Sequence, residues 1–158
     1  MKRTRVTGLA LMLMAGPCVA DALTDREEAR QASMALGGAL KQALIASMKE
    51  GGPLAAIDVC NLSAMPITEQ VSEQSQWAVA RTSLKIRNPD NAPDAWEREQ
   101  LAAFQAQLDA GASPDSLEVL QTEYRDGKPV QRYMKPIMVQ GPCLACHGSQ
   151  LSAEVTQA

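Results

Sequence analysis

The residues whose types and spacing could carry chemistry are two cysteines and a histidine near the C-terminal end of the chain. Cys143, Cys146 and His147 form a C-x-x-C-H sequence, which is the signature of covalent c-type haem attachment. Two thiols at this spacing lie on the same side of a helical turn, so each can add to one vinyl group of haem. The adjacent imidazole then becomes an axial ligand of the iron. The spacing therefore predicts one covalently bound haem c.

The chain has no second histidine to bind the other face of the iron. His147 is the only histidine among 158 residues, which excludes two-histidine zinc sites, bis-histidine haem ligation and the paired-histidine metalloprotease helix within one copy. A methionine ligand raises the reduction potential of haem, and a thiolate lowers it. Either residue type could instead fill the core. The candidates left open are Cys60, a lysine, water, no ligand, or a methionine at position 65, 134 or 138.

Other functions of the cysteines are also compatible with the sequence. Cys60, Cys143, Cys146 and His147 form a conceivable Cys3His zinc set, and two of the thiols could form a structural disulfide. A thioredoxin-like dithiol is disfavoured, because that motif opens a helix within a strand-rich unit. A peroxidase needs a polar acid or base on an open distal side, and no second histidine can serve. We therefore expect no enzyme activity.

The N-terminus predicts export. Residues 1–5 include three basic residues and no acid, residues 6–15 are mostly apolar, and small residues follow before and after Asp21, as in a secretory signal peptide. The apolar run is shorter than the roughly 20 residues of a membrane-spanning helix. We predict a signal peptide over residues 1–20, cleaved after 20 or 22, and one periplasmic domain over residues 23–158 that is not an integral membrane protein. An uncleaved anchor and a lipoprotein attached through Cys18 are the alternatives.

The charge of the chain excludes one class of partner. The net charge is −3, but the first 20 residues hold three bases and no acid, so the remainder carries −6. Nucleic acid is a poor candidate because phosphate binding needs a basic face. Aromatic residues make up only 3% of the chain, whereas aromatic side chains usually dominate cores. A porphyrin would supply the large flat core element that the side chains lack.

Helical patterns predict the elements before and after residue 60. Thr24-Asp-Arg-Glu reads as a capping box, and a long amphipathic helix follows until Gly51-Gly52-Pro53. We expect a short helix over Pro53 to Asn61, carrying Cys60, and another short segment from Pro66. The apolar positions assigned to the long helix are Met34, Leu36, Leu40, Leu44, Ile45 and Met48.

The second half of the chain mixes strand and helix signals. A period of two from Trp77 to Arg87 predicts a strand with one apolar face. A turn-rich loop and a helix from Pro93 to Ala110, ended by Gly111, follow it. Asp126-Gly127 predicts a hairpin between 120–125 and 128–134. The predicted fold class is α+β with an antiparallel sheet. The apolar face of the predicted strand comprises Ala78, Ala80, Thr82, Leu84 and Ile86.

Three basic residues share the polar side of that predicted strand. Arg81, Lys85 and Arg87 could pair with haem propionates. The alternative is an ordinary solvated face, since such side chains are mostly exposed.

Three blocks of the sequence carry a resemblance to a known family. They are residues 81–97 (RTSLKIRNPDNAPDAWE), the cysteine in residues 56–60 (AIDVC), and residues 142–148 (PCLACHG). In this order they resemble the periplasmic single-haem c domains first described as a domain of unknown function, including the cyanobacterial Tll-type haem protein. The resemblance implies a PAS-like fold around haem c, covalent attachment through Cys143 and Cys146, and axial ligation by His147 and Cys60.

The resemblance and the residues together predict a function. We expect an exported mono-haem c-type cytochrome domain that acts as a redox or small-gas sensor. The alternative is a periplasmic electron-transfer cytochrome, whose acidic surface would steer it toward basic partners. The expected partners are a redox protein or a membrane sensor protein, and a diatomic gas as ligand.

Overall fold

The computed structural model describes residues 18–139 and 141–157, and within them it combines helices with one small sheet. The helices are α1 (Cys18–Leu62), α2 (Ala64–Gln74), α3 (Ala95–Asp109), α4 (Leu144–His147) and α5 (Ala153–Gln157). The strands are β1 (Val119–Arg125) and β2 (Lys128–Met134), which pair antiparallel. The predicted α+β class is therefore correct. The signal-peptide prediction falls almost wholly on residues 1–17, outside the described residues.

Helix α1 is a long helix with a sharp change of direction near its end. Gly52 has φ 70° and ψ −159°, a conformation that is essentially restricted to glycine, and Pro53 begins the last stretch of the helix. The predicted long helix and the predicted short helix carrying Cys60 are thus both present. The predicted start at Thr24 is wrong, because α1 already begins at Cys18 and the apparent capping box lies inside it.

The buried face of α1 is narrower than predicted. Ala29, Ala32 and Leu36 are buried at spacings of three and four residues, which place them on one side of a helix. Met34 and Ile45, which we assigned to the apolar stripe, are exposed. The assignment of Met34 to the buried face is wrong, because Met34 is two residues from both Ala32 and Leu36. Two residues correspond to more than half a helical turn, which places Met34 on the opposite side.

Helix α2 packs against α1 and extends the core. Ala64, Thr68 and Val71 are its buried residues, again spaced for one helical face. The Thr68 hydroxyl donates to the Ala64 carbonyl oxygen at 2.8 Å, so this buried polar group has a partner. The short segment predicted around Pro66 is therefore a helix of 11 residues.

The strand predicted from Trp77 to Arg87 is wrong, because the segment forms neither strand nor helix. Two of its backbone amides bond to side chains instead of to a neighbouring strand. Ser72 Oγ accepts from the Val79 amide at 2.9 Å, and Ser75 Oγ accepts from the Trp77 amide at 3.3 Å. The side-chain hydroxyl of Thr82 donates to the Asn91 carbonyl oxygen at 3.0 Å. The face predicted to be apolar and inward points outward, with Leu84 60% exposed.

Helix α3 and the hairpin match their predictions closely. Asp94 caps α3 by accepting from the Glu97 amide at 2.8 Å, and Glu97 accepts from the Asp94 amide at the same distance. The hairpin turns at Asp126 (φ 53°) and Gly127 (φ 75°), as expected for a two-residue turn that needs positive φ at both positions.

A side-chain cluster joins the hairpin to the N-terminal part of α1. Glu118 accepts from Arg30 Nε at 3.0 Å, from Arg30 Nη2 at 2.7 Å and from Arg26 Nη1 at 3.2 Å. It also accepts from the Tyr133 hydroxyl at 2.8 Å. A planar guanidinium bound through two nitrogens fixes orientation as well as distance. The two parts of the fold are thus held in one relative position by charged groups.

A second cluster joins the hairpin to α3. The Arg132 guanidinium lies 4.2 Å from the centre of the Trp96 ring and 2.8 Å from Asp94 Oδ2. The Trp96 indole donates to Gln121 Oε1 at 2.7 Å. Within residues 18–139 and 141–157, no helix combines the length and apolar character that crossing a membrane requires.

Candidate functional site

The C-x-x-C-H sequence forms one compact turn. A 3-10 turn over Gly141–Cys143 leads directly into α4, and the Gly148 amide closes α4 by donating to the Leu144 carbonyl oxygen at 3.0 Å. Cys143 and Cys146 are half-buried free thiols, and His147 lies in the last turn of α4. Two free thiols and an imidazole on a single turn are the donor set that covalent haem attachment requires.

The segment that contains residues 81–87 lies against this turn. Arg87 Nη2 donates to the Cys146 carbonyl oxygen at 2.5 Å. The pKa of His147 is lowered, first by desolvation of the imidazole and then by the positive charges of Arg87 and Arg81. Two of the three predicted propionate contacts are therefore within electrostatic reach of the histidine. Lys85 is exposed in the same segment.

Cys60 lies elsewhere in the chain, on the stretch of α1 that follows Gly52. It is a free, exposed thiol, so the reading of Cys60 as a small buried residue does not describe it. Helix α1 contacts α4. Within the described part of the chain, no three histidine, cysteine, aspartate or glutamate side chains are grouped to hold a metal ion. Among the described residues, the structure therefore does not group Cys60 with Cys143, Cys146 and His147 as a metal site.

Large apolar side chains are exposed along the segments that adjoin the motif. Ile137 is 73% exposed just before it, and Leu144 is 52% exposed within it. Leu84 and Ile86 are exposed on the segment that Arg87 joins to Cys146. Exposed side chains of this kind can contact the wide apolar surface of a porphyrin. Those within residues 84–86 and 137–151 are Leu84, Ile86, Ile137, Met138, Val139, Leu144 and Leu151.

The family comparison covers the same region. Residues 17–157 match the family described as Tll0287-like: Tll0287. The chain belongs to the Tll0287-like family. The resemblance carried by the three sequence blocks is thereby confirmed at the level of the family. No curated protein and no solved structure was found to match the chain.

In this Tll0287-like protein, the sequence did not indicate the role of Gly148 or the contact that Arg87 makes with the motif. A side chain at position 148 would place its Cβ 2.5 Å from the Leu144 carbonyl oxygen, so Gly148 allows the turn to close directly after His147. The sequence signal that could have indicated this role is the position of Gly148 directly after the motif. The Arg87 bond to Cys146 joins residues 59 positions apart, and no sequence pattern indicates it.

The methionines of the Tll0287-like chain remain alternatives as iron ligands. Met138 is exposed on the segment before the motif. Met65 lies in α2 and Met134 ends β2, and both are half-buried. Their positions do not single out one of them as a ligand.

Proposed function

We propose that this protein is an exported mono-haem c-type cytochrome domain that acts as a redox or small-gas sensor. Cys143 and Cys146 would hold the haem through thioether bonds, and His147 and Cys60 would be its axial ligands. The observation that carries the proposal is the single turn with two free thiols and an imidazole, next to exposed apolar side chains. We also propose that the protein is not an enzyme.

Each residue has a defined task in this proposal. When bound, haem c supplies a one-electron couple and, if an axial ligand leaves, a coordination position for a diatomic gas. His147 would stay in place, because it is adjacent to a covalently attached cysteine. Cys60 would bind as thiolate in the ferric state, and reduction of the iron favours protonation or release of that thiolate. Its exposure and its place after the Gly52 bend leave room for such a change.

The proposal includes a location and a finer fold. The basic and apolar leader of residues 1–20 supports export to the periplasm, where haem is attached to this motif. The resemblance implies a PAS-like arrangement around the haem. The hairpin of β1 and β2 would form part of the sheet of that arrangement. Arg81 and Lys85 are the remaining candidates for haem propionates. The Arg87 guanidinium already has the Cys146 carbonyl oxygen as partner.

An electron-transfer cytochrome is the second candidate function. The exposure of His147 and Leu144 favours it, since an electron carrier needs an accessible haem edge. The net charge of −6 after residue 20 would then steer the protein toward a basic redox partner. A sensor would instead act through a partner protein at the membrane.

The first experiment tests covalent haem binding. The full chain is expressed in a bacterial host that matures c-type cytochromes, beside a variant carrying Cys143→Ser and Cys146→Ser. We expect the mass of the wild-type protein to increase by one haem, and that of the variant to stay unchanged. An exported wild-type chain without covalent haem would contradict the proposal.

The second experiment separates the two functions by a redox titration followed by absorption and EPR spectroscopy. A low-spin ferric thiolate signal, a strongly negative potential and loss of a ligand on reduction support the sensor. A mid-range or high potential with both ligands retained supports the electron carrier instead.

A further inference from the structure

The Cys146 carbonyl oxygen lies near the end of the turn that carries the C-x-x-C-H motif. It belongs to the peptide group that joins the second attachment cysteine to His147. The last carbonyl groups of a helix have no partner within the helix and need one from elsewhere. In α4 the Leu144 carbonyl is bonded by Gly148, and the Cys146 carbonyl is bonded by Arg87. An arginine is thus the external partner of this turn.

Arg87 reaches the turn from a segment that is fixed at several points. The Thr82 hydroxyl bonds to the Asn91 carbonyl oxygen at 3.0 Å, which closes a loop around residues 83–90. Asn88 Oδ1 accepts from the Asp90 amide at 3.0 Å, directly after Arg87. Hydrogen bonds therefore hold the chain on both sides of Arg87, while the arginine side chain is exposed.

The charge of Arg87 also acts on the histidine. The Arg87 guanidinium donates to the carbonyl oxygen of the peptide group that joins Cys146 to His147. Its charge therefore lies close enough to affect a positively charged group bound next to the imidazole. A ferric haem carries one more positive charge than a ferrous haem, so a neighbouring cation disfavours the ferric state.

We propose that Arg87 is a positioning residue that holds the Cys146–His147 peptide in place for haem attachment and raises the reduction potential. The Cys146 carbonyl oxygen, rather than a haem propionate, is its partner. The part that concerns the potential rests on the proposed haem function. The part that concerns the turn does not, and the two are tested separately.

The turn is tested in the full chain produced without haem, by mass spectrometry of cysteine alkylation with iodoacetamide. We expect Arg87→Ala to increase the alkylation rates of Cys143 and Cys146 by about three- to tenfold, since a charge-assisted hydrogen bond is lost. Cys60 is the internal reference and keeps its rate. Lys128→Ala is the control, because it removes an exposed positive charge from the hairpin, and its rates should equal those of wild type. Equal rates at Cys143 and Cys146 in wild type and Arg87→Ala would overturn the positioning role.

The haem-loaded protein provides the second readout. Arg87→Ala should lower the reduction potential and the yield of covalent haem, while the ferric spectrum keeps its axial-ligand signature. Arg87→Lys should restore most of the potential, since it keeps the charge, but less of the haem yield, because it lacks the planar fork. An Arg87→Ala potential equal to that of wild type would overturn the electrostatic role.

If no variant and no wild-type protein binds haem, the proposed function fails, and the alkylation rates still decide the role of Arg87 in the turn. If Arg87→Ala does not fold by circular dichroism, Arg87→Gln takes its place in both measurements.

Discussion

Cys60 is the residue on which the proposed sensing chemistry depends. It is an exposed free thiol, and only its place in the resemblance, not a contact to the motif, assigns it to the iron. We expect Cys60→Ala to keep covalent haem, because Cys143 and Cys146 would form both thioether bonds in the proposed function, and to lose the low-spin ferric thiolate signal in EPR. An unchanged ferric spectrum would remove Cys60 from the site.

The methionines supply the matched control for this experiment. Met138 precedes the motif and is exposed, so Met138→Leu removes an alternative ligand with little change in side-chain volume. We expect its ferric spectrum to equal that of wild type. If Met138→Leu changes the spectrum and Cys60→Ala does not, the axial ligand is methionine, and a higher potential follows.

Glu118 is the residue whose charge holds α1 against the hairpin. Arg30, followed by the Tyr133 and Arg26 hydrogen bonds, lowers the pKa of Glu118 from 4.5 to about 2, against an opposing effect of desolvation. A carboxyl with a lowered pKa in the folded state stabilises the protein above its unfolded pKa, and that stabilisation is lost as the pH falls toward the folded value. The free energy of unfolding should therefore fall between pH 4.5 and about 2.

Substitution of Glu118 tests this contribution. Glu118→Gln keeps the size of the side chain and removes its charge, so we expect the free energy of unfolding at pH 7 to fall by about 2 kcal/mol. Urea unfolding at several pH values should also show a weaker dependence on pH below 4.5. Glu28 is exposed on α1, and Glu28→Gln is the control. Equal losses in the two variants would contradict the role given to Glu118.

The bend in α1 is the element-scale feature that places Cys60. Gly52 has positive φ, and no heavy atom lies within 4 Å of the Cβ that a side chain would add there. The cost of Gly52→Ala is therefore one of backbone conformation, and we expect it to lower the free energy of unfolding by about 2 kcal/mol. Thermal or urea unfolding of the full chain measures this loss.

The same helix offers a matched control. Gly38 also has open space around its Cβ position, and its φ is not positive. Gly38→Ala should therefore stabilise the protein by about 1 kcal/mol, as expected for a glycine inside a helix. If both substitutions stabilise, Gly52 is not conformationally restricted and α1 is straight in solution.

The elements that the sequence predicts correctly are those with local signals. The Asp126-Gly127 turn needs only its own two residues to reverse the chain, and α3 has an apolar pattern ended by Gly111. The segment from Trp77 to Arg87 alternates as a strand should, but a strand also needs a neighbour with free backbone groups. Ser72 and Asn91 bond to this segment instead, and no sequence pattern indicates these partners.

In the candidate site, too, the sequence predicts the local features and not the contacts between distant residues. Cys143, Cys146 and His147 are contiguous, so the spacing alone assigns them to one turn, and the structure places them there. The contact from Arg87 joins distant parts of the chain and appears only in three dimensions. Arg81, Lys85 and Arg87 look equivalent in the sequence. Of these three residues, the structure bonds Arg87 to the motif, although Arg87 and Lys85 are both exposed.

The molecule as a whole has a core built largely from small side chains. Among the described residues, half of the buried apolar set is alanine, and the larger members are Leu36, Val71, Phe104 and Leu117. Larger apolar side chains are instead exposed along the segments that adjoin the motif, such as Leu84 and Ile137. A protein of this size normally keeps its exposed apolar patches small unless they bind something. A porphyrin held by the motif would cover part of this surface.

Haem loading should therefore stabilise the whole molecule and cover apolar surface. We expect the haem-loaded wild type to melt several degrees higher than the haem-free chain and to bind less of the apolar dye ANS. The variant with Cys143→Ser and Cys146→Ser separates these effects from the expression conditions, because it passes through the same host and export route without covalent haem. Its melting temperature and dye binding should equal those of the haem-free wild type. If the loaded wild type binds as much ANS as this variant, the exposed side chains do not contact the haem, and they belong to a surface for another partner.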